Sequence, residues 1–162
     1  MNTQNFTISY QVYDRIEELS ETDHMLCKKA EEALLTSHSP YSKFRVGTAI
    51  LLGDRQIVLG SNQENVAYPS GLCAERVALF TIGANYPGAT IKTMAITAQT
   101  ARFVITDPVT SCGACLQVMI EAEKRQESPI EVIFYCINGK IIKVNSIKSL
   151  LPFGFVEDRL DG

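Results

Sequence analysis

The stretch Cys73-Ala-Glu75-Arg76, answered far along the chain by Cys112-Gly-Ala-Cys115, constrains this polypeptide more than any other feature. Three thiols suit one borderline-soft cation, zinc above all, and a set of three leaves a fourth tetrahedral position open. A catalytic zinc needs that opening, whereas a closed structural site usually takes four protein ligands. The fold therefore has to carry two distant segments to one point. It also has to set the Glu75 carboxylate beside that point, where it can carry protons.

The spacing says how. Cys112 and Cys115 stand at i and i+3, so a helix opening at Cys112 puts both thiols on its first turn, facing one metal. Ser111 is the expected N-cap, and residues 116–125 suit a buried helix of about three turns. Cys73 opens a second helix running through Phe80, because Pro69-Ser70-Gly71 blocks an earlier start. Two helix N-termini then converge on the metal and favour thiolate over thiol. Three thiolates around a divalent cation leave a net negative cluster. Arg76 is the nearby cation that offsets it, donating hydrogen bonds to the thiolates.

At these residues the sequence resembles the zinc-dependent cytidine deaminases, in their small homotetrameric form with three cysteine ligands. Five segments carry the resemblance in order: Ser39-Pro-Tyr-Ser-Lys-Phe44-Arg-Val-Gly47, Asn62-Gln-Glu64-Asn65, Cys73-Ala-Glu75-Arg76, Cys112-Gly-Ala-Cys115 and Leu150-Leu-Pro152-Phe-Gly-Phe155. Three departures are visible: Ser111 replaces the usual proline, Leu116 the usual arginine, and the Pro69-Ser-Gly-Leu72 segment varies from common versions. The resemblance implies a three-layer α/β/α fold with a mixed five-stranded sheet flanked by helices. It implies one Zn²⁺ per subunit on Cys73, Cys112 and Cys115. The reaction it implies is hydrolytic deamination of cytidine and 2′-deoxycytidine to the uridines, a step of pyrimidine salvage, with Glu75 carrying protons between water, N3 and the leaving amine. Asn62 and Glu64 would hold the sugar, Phe44 would lie against the pyrimidine face, and the Ala74 carbonyl would accept from the exocyclic amine. A homotetramer with active sites at subunit boundaries is also implied. Tyr68 would sit at such a boundary, and Phe155 would reach a neighbour's pocket and stack on the base.

Composition narrows the partners. The 162 residues make one domain with a real core, residues 1–20 being an extension ahead of the matching segments. A formal charge of −3 and a pI near 5.4 argue against a nucleic-acid partner, since no basic stripe supplies counterion release. No apolar run reaches the ~18 residues of a membrane span, and the N-terminus lacks a secretory pattern. Five cysteines, three of them claimed by metal, point to the reducing cytoplasm. Cys27 and Cys136 are expected as buried free thiols.

Periodicity supplies the scaffold. Strict alternation over Phe6-Thr-Ile8-Ser-Tyr10-Gln-Val12 predicts a strand, either an added edge or a subunit contact. A helix should run from Glu21 to Ser37, with Ser20 and Asp23 as a capping box, Leu26, Ala30, Ala33 and Leu34 as its apolar stripe, and Pro40 as its stop. Strands are expected at Val46–Leu52, Gln56–Ser61, Lys92–Ala98, Ile130–Ile137 and Lys140–Val144, with hairpins at Gly53-Asp54 and Asn138-Gly139. Strands alternating with helices make an α/β sandwich on a mixed sheet. His24 and His38 are not needed as ligands. Three rival functions remain: deamination of another aminopyrimidine nucleoside, editing of cytosine in polynucleotides, and a structural zinc module. The last needs a fourth ligand from Cys27, Cys136 or His38, none of them suitably spaced.

Overall fold

The structure, a computed structural model, describes residues 1–157. Its sheet has six strands: β1 (Gln11–Tyr13), β2 (Phe44–Leu52), β3 (Ile57–Ser61), β4 (Ile91–Thr100), β5 (Glu131–Tyr135) and β6 (Ile141–Val144), in the order β1-β6-β5-β4-β2-β3. Only β4 and β5 run parallel; every other neighbouring pair is antiparallel. Helix α1 (Glu21–Ala33) precedes β2, α2 (Ala74–Asn85) joins β3 to β4, and α3 (Gly113–Arg125) makes the crossover between the parallel strands.

The register explains the layers. Ala49, Ala95 and Ile133 are cross-strand partners, and all three pack with Leu26, Cys27 and Ala30 of α1. One residue on, Ile50, Met94, Val132 and Val144 line up across the sheet. The first three of these pack with Ala78, Leu79 and Ile82 of α2 and with Met119 and Ile120 of α3. Successive strand residues point to opposite faces, so one set of strands builds two cores. α1 thus covers one face and α2 with α3 the other.

Two glycines let the helices sit close. A Cβ at Gly47 would lie 2.1 Å from the Ala30 carbonyl oxygen, and one at Gly60 would lie 2.5 Å from the Ala74 oxygen and 2.7 Å from the Ala78 nitrogen. Gly60 therefore seats the first turn of α2, which carries Glu75, directly on β3. Gly60→Ala is expected to lower stability by about 1–3 kcal/mol, the usual cost of overpacking, and to weaken zinc retention by displacing that turn. Thermal melting and zinc analysis check this. A variant with wild-type melting and full zinc would show that the seat tolerates a methyl group.

The elements depart from expectation at two places. Helix α1 ends at Ala33 and a 3-10 turn, Leu34–Thr36, finishes it, so the run to Ser37 is shorter than the apolar stripe suggested. Thr36 Oγ1 donates to the Ala33 carbonyl there at 3.1 Å, a local bond that competes with continued helix. Of the expected strand from Phe6 to Val12, only Gln11–Tyr13 forms, paired with β6. Alternation licenses a strand, but a strand exists only where another offers its backbone, and Phe6, Ile8 and Tyr10 stay exposed. That short edge is also why the sheet has six strands rather than five.

Further along, the buried Glu123 carboxylate on α3 accepts from the backbone amides of Ile130, Ile147 and Lys148 and from Ser146 Oγ, at 2.7–3.3 Å. It ties α3 to the start of β5 and to the segment leading to the C-terminus. Among the described residues no helix is long and apolar enough to cross a membrane.

Candidate active site

Cys73 and Cys112 occupy the same place in two different helices. Each is an N-cap residue with extended backbone, φ −72° and ψ 156° at Cys73, φ −70° and ψ 162° at Cys112. Ser111, the expected cap, lies one residue before the cap of α3, and its Oγ is buried with no hydrogen-bond partner among the described residues. Neither thiol accepts a capping bond. The first-turn N–H groups of both helices thus remain directed at the negative charge the sulfurs can hold. Cys115, third in α3 and fully buried, completes the group, and all three sulfurs lie within 4.8 Å of one another.

One of the sulfurs is already poised for ionisation. Cys73 is pushed down to about 6, chiefly by a hydrogen bond from Cys115 and further by the Arg76 guanidinium, against partial desolvation. Cys115 is raised in return, by that same bond to Cys73 and by burial. Arg76 Nη2 approaches Cys73 Sγ at 3.9 Å, and its own pKa rises through this contact. The first thiolate therefore resides on Cys73, and a cation is needed to hold three.

Zinc fits this donor set. Zn–S bonds of about 2.3 Å at tetrahedral angles place sulfurs about 3.8 Å apart, and Cys112 Sγ stands 3.5 Å from Cys115 Sγ. Among the described residues, no fourth histidine, cysteine or carboxylate joins the cluster. Cys27 lies on α1 and faces the opposite core, its thiol pushed up to about 12 mainly by burial. The Cys136 thiol, also buried, donates to the Ile105 carbonyl.

Beside the cluster lies a cavity of about 620 Å³, whose wall includes Cys73, Cys112, Glu75, Asn62 and Glu64. Glu75 is second in α2 and 4% exposed. Its carboxylate makes no hydrogen bond to any described residue. A buried acid without a protein partner, facing a cavity beside a metal cluster, is free to exchange protons with what the cavity holds.

Residues 20–128 match the family model described as the cytidine and deoxycytidylate deaminase zinc-binding region. The chain belongs to the cytidine and deoxycytidylate deaminase family. A cytidine deaminase of Halalkalibacterium halodurans is 35% identical over 139 residues, covering 85% of this chain and 96% of that protein. One from Sporosarcina psychrophila is 43% identical over 133 residues, covering 82% and 88%. The crystal structure of cytidine deaminase from Burkholderia pseudomallei superposes with a TM-score of 0.70 at 34% identity, covering 85% of this chain and all of that one.

The other residues that the deaminase resemblance singled out are distributed as follows. Glu64 is gripped by the loop before β2: its Oε2 accepts from the amides of Tyr41 at 2.9 Å and Ser42 at 3.3 Å, and its Oε1 from Ser42 Oγ. Desolvation alone would raise its pKa, but these bonds hold the carboxyl below the usual range. Asn62 is a structural clasp, its Oδ1 accepting from Ser37 Oγ at 2.6 Å and the Val46 amide at 2.8 Å while Nδ2 donates to the Phe44 carbonyl at 2.9 Å. Tyr68 stands at the cavity rim, largely exposed, edge-on to Tyr41 with ring centroids 6.2 Å apart.

Three positions fall elsewhere. The Phe44 ring is not in the cavity wall and lies 6.3 Å from that of Phe103. The Ala74 carbonyl is turned onto β3 at Gly60, so the group left at that helix start is its N–H. Phe155 lies across α3 from its own cysteines, in a groove with Leu79, Phe80 and Val118. Tyr41 and Ser42, which grip Glu64, escaped sequence reading, although the Ser39-Pro-Tyr-Ser segment was the signal that could have found them. Val109 and Thr110 in the cavity wall carried no signal at all.

Proposed function

We propose that this chain is a zinc-dependent hydrolase that deaminates free cytidine and 2′-deoxycytidine to uridine and 2′-deoxyuridine, releasing ammonia. One observation carries the reading: the partnerless carboxylate of Glu75 shares a cavity wall with the three-cysteine cluster and with the gripped carboxylate of Glu64. Zinc on Cys73, Cys112 and Cys115 supplies Lewis acidity, lowering the pKa of water toward neutrality. Glu75 takes the proton of the water that attacks C4 of the ring. It delivers that proton to N3, then takes the proton of the new C4 hydroxyl and passes it to the amine. The amine leaves as ammonia when the C4–N bond breaks and the C4 carbonyl forms. Arg76 offsets the charge of the thiolates and holds Cys73 in place.

Glu64 accepts from the ribose 3′-hydroxyl through a lone pair its loop contacts leave open. The remaining Nδ2 hydrogen of Asn62 donates to the same sugar. First-turn N–H groups of α2 offer donors to the carbonyl oxygen of the base. A free nucleoside suits the cavity better than a polynucleotide, because the chain is acidic overall and offers little counterion release.

We further propose a homotetramer in the cytoplasm, each chain a single domain. In it Phe155, 69% exposed here, stacks on the base in a neighbour's cavity, and Tyr68 borders the base from this chain. The five free thiols suit a reducing compartment.

The test is loss of the cytidine ultraviolet band with purified protein whose zinc has been quantified. Turnover of cytidine and deoxycytidine is expected. Full zinc without turnover of either would refute the substrate, and a panel of aminopyrimidine nucleosides would replace it.

A further inference from the structure

The C-terminal segment is anchored by Leu150 and Leu151, which pack against the α2–α3 core. After a turn closed by the Gly154 amide on the Leu151 carbonyl, the backbone of the next residue meets α3 at Gln117. Gln117 Nε2 donates to the Phe155 carbonyl at 2.7 Å, and the Phe155 amide donates to Gln117 Oε1 at 2.9 Å. One primary amide thus satisfies both backbone polar groups of Phe155, as a neighbouring strand would. The ring is left projecting outward.

Gln117 follows Cys115 by two residues, roughly 200° around the helix. The clamp and the metal thiol therefore face opposite sides of α3. Phe155 is held away from its own cavity and can serve only another copy's. Phe155 is largely exposed, and without the clamp its backbone would sample more conformations. Holding the ring in one place lowers the ordering cost when it meets a bound base.

We propose that Gln117 is a positioning residue for the deamination reaction, fixing the backbone of Phe155 so that its ring meets the nucleoside in a neighbouring subunit. The inference rests on the reading of Phe155 given under the proposed function. The experiment uses the full chain and cytidine, with KM, kcat, zinc content, melting temperature and oligomeric state measured for each variant. Gln117→Met removes both bonds at similar volume, Gln117→Glu keeps only the acceptor, and Phe155→Ala removes the ring.

Gln117→Met should raise KM about tenfold, as expected for two lost hydrogen bonds of modest net worth. kcat, zinc and melting temperature should stay near wild type, and Gln117→Glu should fall between. Adding Gln117→Met to Phe155→Ala should change KM no further. A raised KM in Phe155→Ala with none in Gln117→Met would overturn the clamp while leaving the role of Phe155 intact. An unchanged KM in Phe155→Ala would overturn both. Loss of zinc, stability or assembly in Gln117→Met would make the residue structural and also refute the proposal.

Discussion

Glu75→Gln is expected to lower kcat for cytidine by roughly 10²–10⁴-fold, the range spanned by general acid–base assistance, with a full equivalent of zinc retained. The substitution keeps size and shape and removes only the exchangeable proton. Glu75 is buried in the first turn of α2 and makes no hydrogen bond to any described residue, so replacing it breaks no scaffold contact. Arg76 still faces Cys73 and the three thiols keep their places. Stability and zinc content should therefore match wild type, and the loss should appear in kcat more than in KM. Measuring turnover by ultraviolet absorbance alongside elemental zinc separates chemistry from metal loss. A kcat reduced by less than tenfold would remove Glu75 from the proton-transfer role.

Cys115→Ala should abolish activity and cut bound zinc to less than about a tenth of an equivalent, since a two-ligand remnant cannot close a tetrahedral site. Metal binding contributes directly to stability when the ligands are assembled only in the folded chain. Here α2 and α3 each bring one end to the cluster, so losing the ion loosens the contact between them. The two cores on either face of the sheet remain, and the variant should fold with a lowered melting temperature. Treating wild type with a chelator should bring its melting temperature close to that of the variant. Cys27→Ala is the control: this thiol is equally buried but belongs to α1, on the other face of the sheet. It should cost about 1–2 kcal/mol through a small cavity, leave zinc at one equivalent and keep turnover. A Cys115→Ala protein that held a full zinc equivalent would refute the ligand assignment.

How much could be read before folding depended on whether a feature is local. The two helix starts were legible because Pro69 and the cysteine spacing act within one turn. The Ser20 cap, too, formed as expected, its hydroxyl accepting from the Asp23 amide at 3.1 Å. Its supposed reciprocal partner did not return the bond. The Asp23 carboxylate instead pairs with Lys143 Nζ on β6 at 2.8 Å, a partner no capping pattern announces. The N-cap of α3 moved from Ser111 to Cys112 because the metal cluster needs both thiols at its helix start, and a one-residue boundary is below what capping preference resolves.

Residue type and spacing along the chain settled the chemistry available to this protein: three thiols, one acid two residues beyond the first of them, and the alternation that puts strands between helices. These are short-range properties, decided by side-chain chemistry and by the periods of helix and strand. Only tertiary structure decided where that chemistry points. It turned the Ala74 carbonyl onto Gly60, closed Asn62 into a clasp, cut the N-terminal strand to the residues that meet β6, and set Phe155 against Gln117. Each of these depends on a partner distant in sequence, and the position of such a partner is set by packing the whole chain around its two cores.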